Sequence, residues 1–134
     1  MDFQRVCGIV LLLHPDWKMD MVRVGMLGYG FSVSAEAADR MGLHPIMRWC
    51  AKIVSVMELD KNESISYARL YQTAGREKIA VISAGYADGY SRCFSNCAPI
   101  LLHDQLVTEC GKICMDFSMA NVTNVPDVVP GDEA

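Results

Sequence analysis

Few residues in this chain have reactive chemistry to offer. Tyr67, in "ESISYARLY" (63–71), stands in a polar stretch just before a strand-like run. A phenol there more often edges a core with its ring, and taken alone it decides nothing. Arg23 sits in "MVRVGMLGYG" (21–30), a short apolar run broken by glycines that predicts a buried strand entering a loop. Backbone amides at such a strand end can hold a phosphate without any side chain. The glycines do not follow the Gly-x-Gly-x-x-Gly pattern, and no acidic residue lies at the dinucleotide spacing, which argues against a Rossmann site. Cys93/Cys97 and Cys110/Cys114 form two Cys-x3-Cys pairs, the outline of a four-thiolate zinc site. Their spacing is loose and Cys114 lies in an apolar run, so buried or loop thiols are the better reading and no metal is expected. The histidines are isolated, and His14 and His44 each precede a proline. The segment "ISAGYADGYSR" (82–92) repeats Gly-Tyr around Ala-Asp, which suits a phosphate cradle, a hairpin turn or a loop presenting tyrosines.

Composition narrows the classes. The chain has 134 residues, enough for one ordinary domain, and is 51% hydrophobic, so it can bury a core. A net charge of −4 with no basic cluster argues against nucleic acid or an anionic membrane as partner. Six cysteines in a core-rich chain read as reduced thiols of a cytoplasmic protein. "RVCGIVLLLHPDW" has the outline of a signal peptide, but its apolar run ends at His14-Pro15-Asp16 without a small-residue cleavage site and is too short to span a bilayer.

The elements that must position these residues fall into two zones. Residues 35–44 predict a short helix ending at Gly42, and Pro45 discourages continuation through His44. A domain boundary is placed there, dividing 1–44 from 45–134. Beyond it, "IMRWCAKIVSVMEL", "KIAVISA", "PILLH", "QLVTECGKICM" and "FSMANVTNV" read as strands, with His103-Asp104 turning a hairpin. Short strands at close spacing predict a small antiparallel β-domain or barrel.

Taken together, "MVRVGMLGYG", "SISYARLY", "ISAGYADGYSR", "SN", "ICMDFSM" and "VTNVPDVVPGDE" occur in the order and at the spacings of the alanine racemase family. The chain resembles the end of that family's (β/α)8 barrel followed by most of its C-terminal β-domain. The resemblance implies a homodimeric isomerase that uses pyridoxal 5'-phosphate to interconvert L- and D-alanine for the cell wall, with active sites shared between subunits. It also assigns residues by motif position. Arg23 would face the pyridine nitrogen, and a guanidinium that keeps its proton would leave that nitrogen unprotonated. The amides of Gly25 and Met26 would hold the phosphate. Tyr67 would be one of two catalytic bases, serving the partner subunit's site. The Met115 amide would contact the substrate carboxylate, and Tyr86 would face the entrance of a neighbouring site.

Departures from the family pattern qualify these expectations. The family's cofactor lysine lies well upstream, and Lys18, Lys52, Lys61, Lys78 and Lys112 match no family lysine. The 134-residue chain by itself is therefore expected to be inactive. Ala68 replaces the usual glycine after the catalytic tyrosine. Gly8 stands at a phosphate-side serine position, a change shared with related serine racemases, so serine is an alternative substrate. A truncated, non-catalytic β-domain and an amino-acid decarboxylase of the same barrel type are further alternatives.

Overall fold

The computed structural model describes residues 5–7, 14–17 and 20–134. Gly8, Lys18 and most of "CGIVLLL" lie outside the described residues. Contacts divide the chain into two compact units, Met1–Trp49 and Cys50–Ala134.

In the first unit, strand β1 (Arg5–Cys7) pairs in parallel with β2 (Met21–Arg23), Val6 opposite Val22. Parallel pairing requires a crossover connection and suits strands of a (β/α)8 barrel. The chain then makes a 3-10 turn at Met26–Tyr29 and enters helix α1 (Ala35–Met41). The Ser34 hydroxyl caps the helix by accepting from the Ala37 amide at 3.2 Å. Gly42, at φ +60°, ends it: its amide reaches Asp39 and that of Leu43 reaches Ala38, the paired bonds of a Schellman stop.

The second unit is mainly antiparallel β. Strands β3 (Ile53–Leu59), β6 (Glu77–Ile82) and β9 (Ser118–Asn121) form one sheet in the order β3-β6-β9. Two hairpins accompany it, β4 (Ser64–Ile65) with β5 (Tyr71–Gln72), and β7 (Pro99–Leu102) with β8 (Gln105–Thr108). The central strand β6 has neighbours on both edges, and its Ile79, Ala80 and Ile82 are buried. Ile53, Ile82, Leu102, Val107 and Val122 gather on one cluster; Ile65, Ile79, Cys110 and Met119 form a second. His103 and Asp104 both take left-handed φ, +47° and +60°, between strands that register Leu102 opposite Gln105, the two-residue hairpin loop expected there.

Two strand expectations are corrected. The run from Ile46 becomes a strand only at Ile53, because the ladder with β6 begins at the Ile53–Ile82 pair. Before it, Ala51 and Lys52 make isolated bonds to Ala134, Glu133 and Ser83 without a continuous ladder. A register shift between Ile53 and Ser55 also breaks the predicted alternation of faces. "QLVTECGKICM" stops being a strand after Thr108, apart from a bridge from Glu109 to Ala120. Gly111, at φ +86°, turns the backbone out of the ladder. Among the described residues no helix is long and apolar enough to cross a membrane.

Candidate functional site

In the first unit, β2 carries Arg23 to its exposed end, and Gly25 and Met26 open the 3-10 turn that follows. The first amides of such a turn have no acceptor within it, since its own bonds start with Gly28 donating to the Gly25 carbonyl. A Cβ added at Gly25 would meet nothing within 4 Å, so the approach to those amides is open. Guanidinium and backbone amide groups are both donors suited to an anionic group. The predicted trio is thus brought together on one strand end.

In the second unit, Tyr67 lies in the turn of the β4–β5 hairpin rather than before a lone strand. This turn is conformationally costly. Ser66, Ala68 and Arg69 all have positive φ, +61°, +61° and +50°. Such values are rare for residues bearing a Cβ and persist where neighbours over-determine them. The position after the tyrosine that calls for glycine in the resemblance is therefore a left-handed position, here filled by Ala68. Tyr67 projects outward, 67% exposed.

Tyr86 and Met115 come from motifs far apart in sequence and are stapled to each other. The Tyr86 amide donates to the Cys114 carbonyl at 3.0 Å, and the Ala87 amide to the Met115 carbonyl at 2.9 Å. Gly85 permits this: a Cβ there would collide with both carbonyls. The Gly85 amide donates to the Asp88 carboxylate at 3.0 Å, closing the Tyr86–Asp88 turn. The Arg92 guanidinium lies over the Tyr86 ring, 5.4 Å from its centre, in cation–π range.

Both groups rest on the Gly111–Met115 loop. The Ser66 hydroxyl donates to the Lys112 carbonyl at 2.5 Å and lies 3.5 Å from the Cys114 sulfur. Ser66, Tyr67, Cys114, Phe117 and Met119 line an apolar cleft of about 480 Å³. The Tyr67 phenol, Cys114 and the Phe117 ring thus line one cleft. Tyr71, the other tyrosine of the hairpin, is spent structurally: its hydroxyl donates to Glu77 and accepts from Asn121, and burial raises its pKa.

The cysteine pairs do not converge. Cys93 and Cys97 are exposed, Cys110 is buried and Cys114 borders Ser66; among the described residues no cluster of three His, Cys, Asp or Glu is arranged to hold a metal. Residues that sequence reasoning missed are Ser66, Gly85 and Asn96. Only the Gly-Tyr repeat hinted at Gly85, and nothing local marks Ser66 as an anchor.

Comparison with known proteins agrees with this architecture. The family model described as alanine racemase, C-terminal domain, matches residues 46–134. An alanine racemase from Desulfovibrio desulfuricans is 38% identical over 123 residues, 92% of this chain and 33% of that protein. The structure of alanine racemase from Clostridium difficile 630 in complex with cycloserine superposes with a TM-score of 0.87 at 34% identity, covering 95% of this chain and 34% of that one. The alanine racemase of Bartonella henselae with covalently bound pyridoxal phosphate shares the fold, with a TM-score of 0.88 at 23% identity over 99% of this chain and 37% of that one. The chain spans about a third of the length of the relatives it matches. The family model covers more than half of the chain, residues 46–134, and the chain belongs to the alanine racemase family.

Proposed function

We propose that this chain supplies the end of the barrel, residues 1–44, and the C-terminal β-domain, residues 45–134, of a pyridoxal phosphate-dependent alanine racemase. The observation that carries this reading is the Gly85–Met115 staple, because it gathers Tyr86, Met115 and the Tyr67 turn on one loop. Arg23, Gly25 and Met26 fit the anionic and ring-nitrogen ends of the cofactor. Bound there, pyridoxal phosphate would supply the electron sink that lets the substrate Cα–H bond ionise. Tyr67 takes or returns that proton on one face of the α-carbon. The Met115 amide would hold the substrate carboxylate, and Arg23 would donate to the pyridine nitrogen. Tyr67, Tyr86 and Met115 are all substantially exposed, at 67%, 44% and 55%. That exposure suits side chains offered to a second subunit, as a homodimer with shared sites requires. Alanine is the substrate favoured by the relatives' names.

A chimera tests this. The matching third of the Desulfovibrio relative is replaced by residues 1–134, which leaves the remaining barrel to supply the cofactor lysine. The chimera should fold, show cofactor absorbance and racemise alanine. In it, Tyr67→Phe should slow α-proton exchange in deuterated water on one face by about 100-fold or more, the scale of a lost general base. Equal loss from both enantiomers would refute the one-face role, and a folded, loaded but inactive chimera would refute the function.

A further inference from the structure

Glu109 follows β8 and is 1% exposed. Its amide donates to the Ala98 carbonyl at 2.9 Å, and its backbone bridges to Ala120. One carboxylate oxygen, Oε2, accepts from the Asn96 amide. The other, Oε1, is buried with no hydrogen-bond partner among the described residues. A buried, half-satisfied carboxylate is costly and calls for an explanation.

Asn96 points to one. It is held at φ +61°. Its Nδ2 donates to the Leu70 carbonyl at 3.1 Å, and its Oδ1 accepts from the Gly111 amide at 2.5 Å. Leu70 ends the Tyr67 turn, and Ser66 at the turn's start is tied to Lys112. A ring therefore closes from Ser66 through Lys112 and Gly111 to Asn96 and back to Leu70, with Tyr67 held across it.

We propose that Glu109 is a positioning residue for Tyr67: its carboxylate grips the Asn96 backbone, and the Asn96 side chain clamps the strained Tyr67 turn to Gly111. That Tyr67 transfers a proton rests on the racemase reading above; the hydrogen-bonded ring does not. Burial pushes the Glu109 carboxyl up to about 7, opposed by the Asn96 bond. The ionisable groups coupled to Glu109 are Tyr90 and Cys110, with Cys97 beyond Tyr90 and Glu77 beyond Cys110. Burial raises Tyr90 and pushes Cys110 up to about 12, so neither changes charge where Glu109 does. As Glu109 ionises, the Asn96 bond becomes charge-assisted and tightens.

The test is a nuclear magnetic resonance titration of the labelled 134-residue chain from pH 5 to 9. The Asn96 amide proton should move downfield with a midpoint near 7. The Gly111 and Tyr71 amides and the Tyr67 ring should follow with the same midpoint. Glu109→Gln should abolish all four shifts. Asn96→Gly keeps the left-handed backbone and its amide but removes the side-chain bridge. In that variant residue 96 should still titrate while Tyr67 and Tyr71 go flat. A flat Asn96 or Tyr67 in the unaltered chain overturns the proposal, as does an unchanged Tyr67 titration in Asn96→Gly; should one variant fail to fold, the other still tests its own link, Glu109→Gln the grip and Asn96→Gly the clamp. None of these readouts measures racemisation, so this proposal and the functional one fail independently.

Discussion

In the β3–β6–β9 sheet, Ile53, Ile79, Ala80, Ile82 and Ala120 are buried, and no strand residue has a positive φ. In the loops around Tyr67, by contrast, Ser66, Ala68, Arg69, Asn96 and Gly111 all do. The sheet is held by apolar burial, which is large and undirected. The loops are held by a few directional bonds from Ser66, Asn96 and Glu109. Each left-handed residue bearing a Cβ costs about 1–2 kcal/mol, and each neutral bond returns about 1 kcal/mol. The loop cluster is thus near balance on its own terms and depends on the rigid sheet beneath it. Strain of this kind fixes a side chain in one direction, which a relaxed loop would not.

Three changes would break or sharpen that contrast. The largest effect is expected in the sheet. Ile53→Ala removes a side chain that is 1% exposed and should cost about 2–5 kcal/mol in urea unfolding. Tyr67→Ala, at the exposed tip of the strained turn, should cost less than about 0.5 kcal/mol. A comparable loss at both positions would mean that the turn is part of the core after all.

The second effect comes from Glu109, where a charge is buried beneath the loops. Its pKa is raised on folding from 4.5 to about 7, so the folded state binds the proton more tightly than the unfolded chain. The stabilisation is fully present below about pH 4.5 and is lost as pH rises through 7, by about 3 kcal/mol. Gln at this position stays neutral. The stability of the unaltered chain relative to Glu109→Gln should therefore fall between pH 4.5 and 8. A difference that does not vary with pH would show that the carboxyl keeps one protonation state throughout.

The smallest effect is the most diagnostic, because one substitution should change sign between the two regions. Ala80→Gly, in the central strand, should destabilise by about 1 kcal/mol. Ala68→Gly, at φ +61° and ψ +10°, should stabilise by up to about 1 kcal/mol, since glycine takes that conformation without a Cβ clash. Thermal unfolding of the two variants side by side gives the signs. Destabilisation at both would mean that Ala68 is not strained.

The parts legible in sequence are those whose signals are local. Gly42 ends α1 because a helix stop is specified by the residue next to it. The apolar run of β6 and the turn at His103-Asp104 are read from a few neighbours. The order and spacing of the "GYADGYSR" and "CMDFSM" motifs were enough to indicate the family. The strand limits were harder. Residues 46–52 and 109–115 carry strand-like residues, yet a strand exists only where a partner offers a ladder, and the ladders begin at the Ile53–Ile82 pair and end at the Pro99–Thr108 pair.

By itself, then, the sequence determined the helix with its Gly42 end, the β6 strand, the hairpin turn and the family. Tertiary structure alone decided that Gly85 must lack a side chain, that Ala68 occupies a left-handed site, and that Glu109 is buried against Asn96. Each of these depends on groups brought together from distant positions: Gly85 meets Cys114 and Met115, Ser66 meets Lys112, Asn96 meets Leu70. A local window of residues records propensity, whereas burial, collision and hydrogen-bond partnership belong to pairs that only the folded chain creates.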